Sequence, residues 1–124
     1  MPGLMVAGGI SGKIELLNSG SLNFSGGHGA SRAASYTFEK SCNFIALSTS
    51  GNRWNDGSQH NISASNAKSF STARYQFSHS QGGVGGSTVV GIGTAVKGTS
   101  VTIQASIRAD GTASIAVPYA IYSM

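Results

Sequence analysis

Arg53, Trp54, Asn55, Asp56 and His60 lie close together in a stretch that is otherwise Asn, Ser, Gly and Gln. They bring an aromatic plane, a guanidinium, an amide, a carboxylate and an imidazole into one short segment. Sugars are held by that kind of set: an indole under the apolar face of the ring, and planar polar groups at the hydroxyls. These five residues are therefore the candidate ligand-binding group. A structural role for the same loop stays open, with Trp54 closing one end of the fold or buried between subunits.

Residue types suited to catalysis are scarce. The carboxylates are Glu15, Glu39, Asp56 and Asp110, and the histidines are His28, His60 and His79. None of the histidines stands at metal-ligand spacing from another, and the lone Cys42 cannot build a zinc knuckle. Ser65-Asn66-Ala67-Lys68 matches Ser-x-x-Lys, but that motif works from a helix with partner motifs, and here it stands in a Ser-rich stretch. Gly91-Ile92-Gly93-Thr94-Ala95-Val96 is similar to a dinucleotide fingerprint, but Val96 occupies the position of the last glycine and no βαβ pattern surrounds it. The sequence points away from an enzyme, with no catalytic residues, metal site or cofactor expected.

Composition narrows the partners. Charged residues are 10% of the 124 and the net charge is +4. The eight basic residues, from Lys13 to Arg108, are scattered rather than gathered into the stripe that nucleic acid requires. The polar surface must come from Ser, Thr, Asn and Gln. Met1–Ala7 lacks a basic region followed by a long apolar one, and no apolar run approaches a membrane helix. Folding in a cytoplasm is expected, without membrane insertion. Cys42 reads as a thiol packed as a small hydrophobe.

The elements that must position these residues are strands. Period two dominates and no helical stripe persists. Ala34/Tyr36/Phe38, Ala73/Tyr75/Phe77, Val101/Ile103/Ala105/Ile107 and Ala113/Ile115/Val117/Tyr119/Ile121 each define one apolar face. Residues 42–48 are apolar on both faces and predict a central strand covered on both sides. Residues 87–96 read as a strand in which Gly91 and Gly93 admit a bulge or a close approach. Asp110-Gly111 predicts a hairpin, and Lys97-Gly98 and Asn18-Ser19-Gly20 predict turns. Pro118 predicts an edge or bulged strand. Residues 26–31 and 50–67 read as loops, and a glycine cluster at 81–86 links two strands. The whole chain, 1–124, is expected to be a single antiparallel β-sandwich of seven or eight strands, jelly-roll-like.

Tyr36-Thr37-Phe38-Glu39, Asn43-Phe44-Ile45-Ala46-Leu47, the entry into a strand at Val96-Lys97-Gly98-Thr99-Ser100-Val101-Thr102-Ile103, and the ending Ala120-Ile121-Tyr122 form a series along residues 33–124. This series resembles small β-sandwich modules of bacteriophage virion proteins, of the tail-fibre-tip, head-fibre and baseplate-appendage kind, and is similar to tumour-necrosis-factor-like jelly rolls. The resemblance implies a virion component assembled in the host cytoplasm, a homo-oligomer with the trimer favoured, held among other virion proteins. It implies decoration of the particle or binding of a host surface, including host-surface glycans. Residues 1–30 fall outside it and are expected to dock the module or extend it. A free carbohydrate-binding module or lectin is the alternative.

Overall fold

The computed structural model describes residues 13–25, 31–50, 58–76, 87–107 and 114–124. They form eight strands: β1 (Glu15–Ser25), β2 (Ser31–Thr37), β3 (Cys42–Ser50), β4 (Ser58–Ser65), β5 (Ser69–Gln76), β6 (Ser87–Ala95), β7 (Ser100–Ile107) and β8 (Ser114–Ser123). The strands build two antiparallel sheets, one ordered β1-β8-β3-β6-β5 and the other β2-β7-β4. Only β5 and β6 are consecutive strands within one sheet; every other connection crosses to the opposite sheet. That winding, with the first strand paired to the last, is a jelly roll, and the all-β sandwich expectation holds.

Burial follows the pleat. In β3 the side chains of Phe44, Ala46, Ser48 and Ser50 are buried, and in β6 those of Val89 and Ala95. The facing sheet contributes Ile62 from β4 and Val101, Ile103 and Ala105 from β7. Leu22, Phe24, Phe38, Val117 and Ile121 complete the core. Full burial of each large apolar side chain stabilises the fold by about 1.5–3 kcal/mol. An aromatic row runs through one end: Tyr36 meets Phe38 edge-on at 5.0 Å, Phe38 lies 4.8 Å from Phe44, and Phe44 stacks at 6.0 Å on Phe70.

Gly91 and Gly93 make this row possible. Both sit on the inner side of β6, opposite Ala46 and Phe44 of β3. A Cβ on Gly93 would meet the Phe44 ring at 3.0 Å and run into the carbonyl oxygen of Ser69, while one on Gly91 would meet the Phe70 ring at 2.9 Å. The glycines mark a close approach, one of the two outcomes their spacing predicts.

The β6–β7 turn is fixed by hydrogen bonds rather than by apolar contact. Thr99 N–H donates to the Val96 carbonyl at 3.0 Å, and Gly98 takes φ +92°, open only to glycine without strain. The buried Thr99 hydroxyl donates to the Asn66 carbonyl at 2.6 Å and accepts from Val96 N–H at 2.9 Å. This ties the turn to the β4–β5 link, where Asn66 itself has φ 59°.

Several sequence expectations are corrected. Asp110-Gly111 does not join a hairpin, because β7 and β8 belong to different sheets. Asn18-Ser19-Gly20 is no turn: β1 runs through it with a bulge between Leu16 and Asn18, and Gly20 leaves room for the Tyr119 ring. Much of the expected loop 50–67 is strand, β3 running to Ser50 and β4 spanning Ser58–Ser65. β8 is not an edge strand, but its pairing with β3 extends only to Tyr119, so Pro118 interrupts no β3 ladder. In β5 the faces are reversed: Ala73 and Tyr75 are exposed, while Phe70, Thr72 and Arg74 lie opposite the inner positions of β6.

Candidate functional site

Of the five predicted ligand-binding residues, Arg53, Trp54, Asn55 and Asp56 lie outside the described residues, as do His28 and His79. His60 is described, and it is not on a polar surface loop. It occupies the inner side of β4 at 1% exposure, because its neighbours in the strand alternate with Ile62 and Ala64 on the core side.

The imidazole is saturated with partners. Its Nε2 lies 3.2 Å from the Ser87 carbonyl and 2.8 Å from the Ser87 hydroxyl. A carbonyl only accepts, so Nε2 carries the proton, and Nδ1 accepts from the Ser48 hydroxyl at 2.6 Å. Arg74 reaches across from β5, donating through one terminal nitrogen to the His60 carbonyl and through the other to the Ser87 hydroxyl at 3.4 Å. Burial, and then the Arg74 guanidinium, hold the His60 pKa below its ordinary 6.5, against a smaller upward pull from the Ser87 hydrogen bond.

A hydroxyl hydrogen-bonded to an imidazole is the start of a nucleophile–base pair. Here both members are closed off, with Ser48 also 1% exposed and the second imidazole nitrogen already engaged by Ser87. The cluster's task is cohesion: it satisfies polar groups inside the sandwich, where an unpartnered one costs about 1–3 kcal/mol. It also closes the seam where β4 and β5 part into different sheets. A cleft of about 360 Å³ opens beside this seam, lined by Asn61, Arg74, Gln104 and Ser106. Among the described residues no three His, Cys, Asp or Glu side chains gather as a metal-ligating set. Cys42 is half-buried against the core, and that burial raises its thiol pKa.

The two outer faces of the sandwich differ sharply in chemistry. On the three-stranded sheet, registered rows put Ser35 beside Thr102 and Ser63, and Thr37 beside Ser100 and Ser65. Ser35 and Thr102 hydroxyls are 2.8 Å apart, and those of Thr37 and Ser100 are 3.0 Å apart. On the five-stranded sheet the corresponding rows are Tyr122, Ile45, Ile92, Ser71 and Ala120, Leu47, Val90, Ala73. Ile92 is 49% exposed, Tyr75 59% and Leu16 56%. The expected cover on both sides of β3 is therefore half right: its inner face meets the core, but no second layer of described strands lies over its outer face. A trough of about 670 Å³ crosses one end of this face, between Lys13, Ile14, Phe70, Ile92, Thr94 and Met124.

Sequence reasoning did not single out this face. Its signal was present in the apolar residues on both sides of 42–48 and in the Ala73/Tyr75 alternation, both assigned to burial within one chain. No family model matches the sequence, and no curated protein or solved structure matches it at a significant level.

Proposed function

We propose that this chain is a non-enzymatic structural module of a bacteriophage virion, a tail or capsid appendage that decorates the particle or binds the host surface as part of a homo-oligomer, with the trimer favoured. The observation that carries the assembly part of this reading is the contrast between the outer faces: hydroxyl and amide groups on one, Ile45, Leu47, Val90, Ile92 and Tyr122 on the other. A polar sheet face is stable in water; a contiguous apolar one marks an interaction surface. The sequence resemblance supplies the virion setting. Localising the chain in purified phage particles with an antibody tests it. Labelled appendages support the reading, and its absence from particles of the phage that encodes it contradicts it.

A second reading, a free carbohydrate-binding module, is favoured by the cleft of Asn61, Arg74, Gln104 and Ser106. Its amides, guanidinium and hydroxyl are the groups that recognise sugar hydroxyls. A monomer that binds glycans in an array, and loses them in Trp54→Ala, favours this reading over the first.

A further inference from the structure

The outer face of the five-stranded sheet has the anatomy of a subunit contact. Its middle is apolar: Ile45, Leu47, Ala120 and Tyr122, with Val90, Ile92 and Ala73 beside them. Its margin is mostly hydroxyl and amide, with Ser19, Ser21 and Asn23 on β1 and Thr49 and Thr88 toward one end of β3 and β6, while the exposed Leu16 and Tyr75 extend the apolar area beside Tyr122 and Thr88. An apolar centre inside a polar rim is the usual construction of protein–protein interfaces.

We infer that a second copy of this chain packs on this face. Charge selects that occupant. The outward strand positions of the five-stranded sheet include no Asp, Glu, Lys or Arg, and Lys13 stands only at the rim, lining the trough with Ile92 and Met124. A partner chosen by charge complementarity would need a charged patch here. A second copy needs the reverse, because each chain carries +4 and like charges at the contact would oppose association. The uncharged middle of this face lets two such chains meet without that penalty.

Size agrees. Five strands about 4.8 Å apart and roughly eight residues long present about 600 Å² in projection, and upright side chains raise the accessible area toward the ~800 Å² per partner of a stable interface. The opposite face of the same molecule provides an internal control. It has similar pleat geometry, with Ser35, Thr37, Ser63, Ser65, Ser100 and Thr102 in place of aliphatics. The surface difference is not a general property of the composition.

The inference deepens the assembly reading by naming the surface through which the chain would associate. Its test compares the wild type with Ile92→Asp, Tyr75→Asp and Thr102→Asp by light scattering after size exclusion, with circular dichroism to confirm folding. Ile92 and Tyr75 are exposed in the single chain, so a carboxylate there leaves the core intact. The expected result is an oligomeric wild type, at least tenfold weaker association in Ile92→Asp and Tyr75→Asp, and an unchanged mass in Thr102→Asp. An oligomer that all three variants preserve overturns this interface while leaving the assembly reading standing. A monomeric wild type overturns both. A monomeric wild type that floats with neutral phosphatidylcholine vesicles assigns the face to a lipid surface instead.

Discussion

Ile45 lies directly opposite Ile92 in the β3–β6 ladder, and both side chains point away from the core that Phe44 and Ala46 fill from the next positions along. The adjacent inner strands β3 and β6 of the larger sheet are thus apolar on both faces. Among the described residues, a second sheet covers only one of those faces.

The buried imidazole makes stability depend on pH. His60 is held neutral by burial and by Arg74, with its pKa below 6.5, so below that value the unfolded chain binds the proton and the folded chain resists it. The stabilisation is complete above pH 6.5 and is lost as the pH falls through the lowered folded value. Urea unfolding from about pH 8 to about pH 5 should show a falling midpoint. In His60→Leu the part of that slope due to this group should vanish. That variant should also be about 2 kcal/mol or more less stable at neutral pH, since Ser48 loses its partner and Ser87 one of its two. A slope identical in wild type and variant would refute the assignment.

The two inner glycines of β6 should not respond alike. Gly93→Ala drives a methyl against the Ser69 backbone as well as the Phe44 ring, whereas Gly91→Ala meets the Phe70 ring, which can turn aside. Overpacking costs about 1–3 kcal/mol, and Gly93→Ala should lie at or above the upper end with Gly91→Ala below it. Thermal denaturation of the two variants gives the order, and the reverse order would contradict the packing described.

Thr99→Val tests the turn. The shape is kept, but Val96 N–H loses its acceptor and the Asn66 carbonyl a donor inside the fold. The expected loss is about 2 kcal/mol, and Gly98→Ala, strained at φ +92°, should cost about 1 kcal/mol or more. A fully stable Thr99→Val protein would show that the hydroxyl does not hold the two links together.

The inner faces of β2, β7 and β8 were legible because period two there coincides with burial: Tyr36, Ile103 and Ile121 each fall where the alternation puts them. β4 was hidden because its inner row includes His60, a polar residue that burial tolerates only with Ser48 and Ser87 in place. β5 was misread for the converse reason. Its inner row holds Arg74 while its outer row holds Ala73 and Tyr75, and a pattern alone cannot tell a core from an apolar exterior. The Asp110-Gly111 signal failed because a turn specifies a local reversal, not whether the next strand returns to the same sheet or crosses over. As for the candidate site, the sequence singled out His60 but not its partners, which come from strands distant in the chain.

The most direct measurement is the sedimentation-equilibrium mass of the unmodified chain across micromolar concentrations. One chain weighs 12.6 kDa. The account predicts a mass that is an integral multiple of this, and that falls toward the single-chain value for Ile92→Asp. A wild-type mass of 12.6 kDa at every concentration would contradict it.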